Sequence, residues 1–576
     1  MRLNVLLVSN QIRGVDGTGG LGDVAVGLCK ALLSRQDIDI RLAMPGYAEI
    51  TEEQALKRRF DTKPIVTALT VPSGSGVEQV DVFRISLPNS QPPITTYLLR
   101  CPSVFDVLDP RTNKVNKNTP DKAILFARAT LEFLRAYDDF HVDLIHCNDW
   151  HTGLVPVYLK THYTDDPYLG RVATLYTTHN AAGDAFQGGF PEDGWLLPLA
   201  GLSPEQVFQG AKTQSLFHNN KFNFSKGGFG FADLLNTVSR RYREELLMPV
   251  FAGGLEGVFK DRAGDFTGVV NGIDTSEWDP ATDKHLKRFT FSKANPVEAT
   301  RNKKRQVRQL LRNWIVSDEK HPRKGQTPFS TLEDGTILVG VVTRIDFQKV
   351  SILFHAIDRI CSAEDVQVVL LGNADRNDSM GMDYEAALRQ KARDDPRKLV
   401  FFDGFDIPLS HLIYAASEIF LVPSVFEPCG LTQLAAMKYG SVPVVRSTGG
   451  LMDTVIDEAD PARRSSATGF QFKEDLNELT LLDEQKGADS LVSRFQDALN
   501  LYKTNPTRWN ALMLNCMSRD SSWSVPSMQY MKLYHEAVRR NLQRTFFGSQ
   551  SDEATRTERK GDILQFDFLS RSSARP

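Results

Sequence analysis

Long apolar runs are missing from this chain of 576 residues, and so is any surplus of charge of one sign. No segment reaches the roughly 20 apolar residues that a membrane-spanning helix needs. The amino-terminal MRLNVLLVSNQ carries one basic residue and a short apolar stretch, so it reads as a first β-strand rather than a secretory signal. Lys and Arg number 68 against 71 Asp and Glu, a net charge of −3. That balance argues against nucleic acid or an anionic membrane as the main partner. Cysteine is sparse: Cys29, Cys101, Cys147, Cys361, Cys429 and Cys516 lie scattered, with no CxxC pair. The scatter excludes a disulfide framework and fits reduced thiols in a cytoplasmic enzyme. His146, Cys147 and His151 stand close together, but no second cluster supplies further ligands, so no metal site is expected.

What the chain does have is an apolar content of 41%, ample for two or three domains at this length. Short apolar runs recur at 4–9, 40–45, 142–147 and 171–179, each followed by a polar turn and a helical pattern. The rhythm returns at 335–344, 366–372, 398–405, 418–424 and 441–447. Alternating strands and helices imply parallel sheets covered on both faces. The fold class is therefore α/β, with two Rossmann-like doubly wound domains facing across a cleft. The boundaries fall at 1–275 for the first domain, 276–334 for a linker with a helical insertion, and 335–522 for the second domain. A terminal helix at 523–544 and an aperiodic tail at 545–576, expected to be disordered, complete the chain. The basic stretch RNKKRQVRQLLRN (301–313) reads as a solvated connecting helix.

Ligands of doubly wound sheets bind beyond the carboxyl ends of strands, and chemistry-bearing residues stand there in both halves. Asp149 follows the run 142–147, and His179 and Asn180 end the run 171–179. Arg344 ends the run 335–344, Lys349 comes five residues later, and Glu427 follows the run 418–424. Singly, each is as readily a cap or a solvated ion; jointly they mark a site. Arg344 and Lys349 can neutralise a diphosphate without a metal. His179 and Asn180 can hydrogen-bond sugar hydroxyls. Glu427 precedes Pro428, which favours extended backbone, and Gly430 permits close approach of a ligand. A helix opening at Leu431, with Thr432 in its first turn, offers N–H groups to an anion. A carboxylate beside such a helix start suits a nucleotide sugar. Gly17, Gly19 and Gly22 also match the dinucleotide pattern GxGxxG, but Asn10 to Asp16 intervene where that fingerprint follows its strand directly. A glycine-rich loop facing a diphosphate accounts for the match equally well, and Thr448 to Asp453 (TGGLMD) echoes it.

FEPCGLTQLAAMKYG (426–440) and VPVVRSTGGLMDTV (442–455) resemble the C-terminal signature of bacterial glycogen synthases and plant starch synthases, glycosyltransferase family 5. TGGLGDV (18–24), HCNDWHTGLVP (146–156), TTHNAAGDAFQG (177–188), FADLLNTVS (231–239), GGLEGV (253–258) and the segment opening NGID (271–274) also look like family motifs, in family order. The resemblance implies a GT-B fold and transfer of glucose from a nucleotide sugar, ADP-glucose first, to the non-reducing end of an α-1,4-glucan with retention. It implies no cofactor or metal beyond the nucleotide-sugar donor, and an α-glucan acceptor as the other partner. By the same resemblance Arg344 and Lys349 hold the diphosphate, and His179 and Asp149 line the glucosyl pocket. Gly20, Asp23, Asn180 and Asn271 border the donor, Phe405 packs on the base, and Cys429, Gly430, Leu431 and Thr432 supply loop contacts. Glu427 would be the essential carboxylate.

The chain also departs from that family's pattern. Gly17 stands where the family has a lysine, with Arg13 the nearby replacement cation. Val350 replaces the glycine after the phosphate-binding lysine, and LGNAD (371–375) and FDVLDPRTNK (105–114) are altered. These departures leave open a catalytically weak glucan- or nucleotide-binding relative, or a GT-B transferase with another donor. NAD-dependent oxidoreduction leaves FEPCGLTQL unexplained.

Overall fold

The computed structural model describes residues 2–15, 19–47, 64–87, 90, 92–109, 114–208, 215–317, 336–475 and 480–547. Gly17, the tail beyond Phe547 and part of 105–114 thus lie outside the described residues.

The apolar runs become strands. In the first half these are β1 (Leu3–Val8), β2 (Ile38–Pro45), β3 (Val66–Ser73), β4 (Gly76–Ser86), β5 (Thr95–Arg100), β6 (Leu144–Asn148), β7 (Ala173–Thr178), β8 (Leu234–Thr237) and β9 (Phe266–Gly268). They form one sheet in the order β9-β8-β7-β6-β1-β2-β5-β4-β3. Pairing is parallel from β9 to β5, with Val5 opposite both Ile40 and Leu144. At the far edge β4 runs antiparallel to both β5 and β3. This hairpin departs from the all-parallel expectation. Its strands are half-exposed and carry no continuous apolar run, as an antiparallel edge with one wet face permits.

The second half supplies β10 (Ile337–Val342), β11 (Val366–Gly372), β12 (Leu399–Asp403), β13 (Ile419–Val422), β14 (Val442–Arg446) and β15 (Phe470–Phe472). Their order is β12-β11-β10-β13-β14-β15, parallel throughout. β11 and β13 are fully buried, as central parallel strands must be. In each sheet the chain winds out one way from the central strand and then back the other way. The crevices at the carboxyl ends of β1/β6 and β10/β13 are therefore the topological switch points.

Each sheet has its own core, and the terminal helix ties the halves together. The helix Ser524–Phe547 leaves the second half and buries Tyr530, Met531, Tyr534 and Ala537 in the first core. Tyr530 receives a hydrogen bond from Asn236 at 3.1 Å, and Tyr534 meets His146 at 3.0 Å. The helix Val297–Ser317 is not the solvated connector its basic residues suggested. Val307 and Leu311 lie in the second core, and Lys304 is buried, donating to Tyr439 O at 3.1 Å and Ser441 Oγ at 3.2 Å. Arg308 donates to the carbonyls of Ala416 and Thr336 at 3.1 and 2.9 Å. Its cations satisfy the carbonyls that close two neighbouring helices, at Ala416 and Tyr439, and the one that precedes β10, at Thr336, instead of water. Among the described residues no helix is long and apolar enough to cross a membrane.

Candidate active site

The second sheet's switch point brings Lys349 to Glu427. Lys349 lies in the first turn of the helix Phe347–Cys361, which Asp346 caps by accepting the Lys349 N–H at 2.9 Å. Its ammonium forms an ion pair with Glu427 Oε2, and the Ser424 hydroxyl donates to the same oxygen at 2.9 Å. Glu427 is only 6% exposed, so ammonium and hydroxyl stand in for water around its charge. Neighbours hold the loop from behind. Gln348 donates to Phe426 O at 3.0 Å, and Gln433 donates to the carbonyls of Cys429 and Gly430 at 3.1 and 2.9 Å.

Two glycines let a neighbouring segment close on this loop. The N–H of Gly450 donates to Glu427 O at 2.9 Å. A Cβ on Gly449 would come within 2.0 Å of Glu427 O, and one on Gly450 within 2.2 Å of Cys429 O. Gly430 itself has φ +73°, which a side chain rarely tolerates. The helix beyond it starts at Thr432, one residue later than expected, with Leu431 as its cap position. The Cys429 thiol is pushed up to about 12 by burial, so it is a packing group rather than a nucleophile.

The first sheet's switch point presents Asp149, His179 and Asn180. Asp149 has φ +56° and ψ 178°, a conformation costing a non-glycine residue about 1–3 kcal/mol and typical of functional sites. It accepts the His179 backbone N–H at 2.7 Å. Burial lifts its carboxyl to about 7, against the opposing pull of the backbone N–H groups of His179 and Asn180. Burial likewise pushes His179 down to about 3, so its ring is neutral, with Nε2 2.9 Å from Asn148 Oδ1. Asn180 Oδ1 accepts the Ala182 N–H at 3.0 Å.

The two halves meet at these loops. Phe186 packs edge-on against Phe426 at 6.5 Å between ring centroids, and a Cβ on Gly20 would lie 3.5 Å from Leu431 Cδ1. The Tyr242 hydroxyl accepts the Ala181 N–H at 3.0 Å. It is pushed up by burial and by the carboxylates of Glu245, Asp149 and Glu427, so both switch points face it. Asn271, where the chain first crosses between halves, is buried beside Cys429, and its side-chain oxygen has no partner among the described residues.

Not every expected residue joins this cluster. Arg344 is 62% exposed and pairs with Asp346 at 3.3 Å, without touching Lys349 or Glu427. Phe405 stands 54% exposed beyond β12. Asp23 binds Arg13 at 2.6 Å, and Arg13 also pairs with Glu277. Arg13 is therefore committed, and does not replace the cation missing at Gly17. Val350 is fully buried in the second core, so its substitution faces away from the site.

The sequence reading overlooked Ser424, Gln433, Ser239, Glu245 and Asp453. Ser239 donates to Pro428 O at 2.5 Å, and Asp453 accepts the N–H groups of Arg240 and Arg241 at 2.7 and 3.0 Å. Apart from Glu245, all of these stand inside the quoted runs (418–424, FADLLNTVS, FEPCGLTQL, TGGLMD), so the signal was position within a motif rather than residue type.

Comparison with known proteins agrees with this arrangement. A family model described as the starch synthase catalytic domain matches residues 4–261, and one described as glycosyl transferases group 1 matches residues 336–479. A glycogen synthase of Thermotoga petrophila is 34% identical over 537 residues, 93% of this chain and 99% of that protein. One from Thioalkalivibrio sulfidiphilus is 35% identical over 547 residues, 93% and 100% of the respective chains. The catalytic domain of starch synthase IV from Arabidopsis thaliana, solved bound to ADP and acarbose, superposes with TM-score 0.78 at 28% identity, covering 94% of this chain and 100% of that one. Sucrose-phosphate synthase from Thermosynechococcus elongatus shares the fold, with TM-score 0.52 at 17% identity over 93% of this chain and 99% of that one. The chain belongs to the glycogen synthase and starch synthase family, and is a glycosyltransferase of that type with the GT-B fold.

Proposed function

We propose that this glycosyltransferase moves glucose from ADP-glucose to the non-reducing end of an α-1,4-glucan with retention of configuration, in the cytoplasm and without a metal. The observation that carries the reading is the Lys349–Glu427 pair at one switch point, facing Asp149 and His179 at the other. As the bond to the diphosphate breaks, negative charge grows on the leaving oxygen and positive charge on the anomeric carbon. Lys349 and Arg344 neutralise the former, and Glu427 stabilises the latter. The neutral His179 ring and the loop at Asp149 hold glucosyl hydroxyls, with Asn180, Asn271, Gly20 and Asp23 bordering the donor. Phe405 stacks on the base, and the segment Cys429 to Thr432 borders the phosphates. The starch synthase IV bound to ADP and acarbose supports the choice of an adenine nucleotide and a glucan.

The test is glucosyl incorporation into glycogen by purified protein, with ADP-glucose and UDP-glucose supplied separately and EDTA present or absent. Incorporation from ADP-glucose, unaffected by EDTA and lost in Glu427→Ala, is expected. Faster transfer from UDP-glucose would overturn the donor assignment. A slower enzyme than its relatives is a second reading, favoured by Arg13 being held by Asp23 and Glu277 while Gly17 offers no charge. Gly17→Lys should then raise turnover.

A further inference from the structure

The carboxylate of Glu245 belongs to the first half of the chain, yet it is spent on the loop that carries Glu427. It ends the short helix Arg240–Glu245, and its side chain is 3% exposed. Oε1 accepts the backbone N–H of Gly449 at 2.9 Å and the Thr448 hydroxyl at 3.2 Å. Both belong to the start of the helix Gly449–Thr454 in the second half. Thr448 sits at that helix's cap position but makes no side-chain cap bond, so Glu245 serves as the cap from across the cleft.

The arrangement is reciprocal. Asp453, on the second helix, accepts the N–H groups of Arg240 and Arg241 at the start of the first. Ser239 adds its bond to Pro428 O, the residue next to Glu427. Gly449 and Gly450 in turn press on the Glu427 loop at distances where no Cβ fits, and Gly450 N–H holds Glu427 O. A displacement at Gly449 therefore cannot be absorbed by empty space before it reaches the Glu427 backbone.

We propose that Glu245 is a positioning residue for glucosyl transfer, setting the place of Glu427 through Gly449 and making it depend on how the two halves are juxtaposed. The inference rests on Glu427 carrying the chemistry. The experiment measures initial rates of glucosyl incorporation from ADP-glucose, with melting temperatures, for full-length Glu245→Ala, Glu245→Gln and Glu427→Ala. Because misplacement by 1 Å can cost on the order of a hundredfold in rate, Glu245→Ala should lower kcat about ten- to a hundredfold. Donor and acceptor KM should stay within about twofold. Glu245→Gln keeps an oxygen that accepts the Gly449 N–H, and should remain within about threefold of the parent in kcat. Wild-type kcat in Glu245→Ala, or a loss expressed in KM, overturns the proposal. So does a Glu245→Gln chain that melts normally but has lost tenfold or more in kcat, an outcome readable even if the alanine variant does not fold. Turnover surviving in Glu427→Ala would instead overturn the reading of Glu427; a dead Glu427→Ala beside a normal Glu245→Ala would overturn the positioning role alone.

Discussion

Replacing Lys349 by methionine isolates the pair at the centre of the site. The two side chains are 17% and 8% exposed, and among the described residues Glu427 keeps only the Ser424 hydroxyl once the ammonium is gone. Breaking a buried ion pair by removing one partner costs about 3–5 kcal/mol, chiefly because the remaining charge is left uncompensated. The partial opening of the pair to solvent sets the lower end of that range, about 3 kcal/mol, for Lys349→Met. Glu427→Gln leaves the more exposed member alone, and should cost about 2 kcal/mol on the same reasoning. The double variant buries no charge, and should lie within about 1 kcal/mol of the parent. The coupling between the sites is then about 4 kcal/mol, well above the few tenths expected of independent positions. In a domain of this class 3 kcal/mol corresponds to a fall of roughly 6–12 °C in melting temperature. Thermal and urea unfolding of the four proteins, followed by tryptophan fluorescence, measure the cycle. The double variant should recover the melting temperature of the parent while remaining inactive. Losses that simply add in the double variant would refute the reasoning, since the pair would then be a solvated contact of little worth.

Three further outcomes follow from the same geometry. Gly450→Ala should lower both stability and turnover: a Cβ 2.2 Å from Cys429 O forces a shift of about 1 Å, costing on the order of 1–3 kcal/mol as overpacking. A normal melting curve with normal kcat would show that the segment yields freely. Arg344→Ala should leave the melting temperature unchanged, because the side chain is 62% exposed, yet remove about 2–4 kcal/mol of transition-state stabilisation in kcat/KM for the donor; unchanged kinetics would make it a surface residue. Asp149 is lifted by burial to about 7 in the folded chain but ionises near 4 when unfolded, so the folded state binds the extra proton between those values. Its contribution is complete below about pH 4 and is lost as the pH rises through about 7. Asp149→Asn should therefore gain on the parent in melting temperature from pH 5 to pH 8, and a constant or shrinking difference would exclude burial as the cause.

The strands were legible because they are buried on both faces. Runs such as VQVVLLG (366–372) and EIFLVPS (418–424) need no partner to be recognised, and the residues just beyond them were found as strand ends. The hairpin β3–β4 was not. Its exposed alternation has no dense apolar run, and only the glycines at 74 and 76 marked the turn. The helix Val297–Ser317 misled for another reason. Lys304 and Arg308 look like a wet face, but their partners include the carbonyls of Tyr439 and Ala416 at the ends of two helices, each more than a hundred residues away and invisible in one dimension. The same limit hid Glu245: a carboxylate in RRYREE reads as a solvated helix charge until Gly449 is seen opposite it.

The departures from the family pattern do not weigh equally once their surroundings are known. Gln348, Lys349 and Val350 are consecutive on one helix, about 100° apart around its axis. The first reaches Phe426 O, the second Glu427, and the third enters the second core. A valine there adds apolar packing on the face turned from the Glu427 loop, and leaves the two contacts to that loop unchanged. Ala374 is similarly buried, its N–H held by Glu385 at 2.7 Å. Charge at the glycine-rich loop is a different matter. A missing cation is not restored by packing, and the nearest candidate, Arg13, is shared between Asp23 and Glu277. To serve a phosphate it would have to surrender two carboxylates, one of them already raised by burial. On the proposed reading, the electrostatic work on the leaving diphosphate therefore falls on Lys349 and Arg344, both in the second half. Glu427, tied to one of them and braced from the first half through Gly449, is then, under the proposed positioning role of Glu245, where the two halves must agree for transfer to proceed.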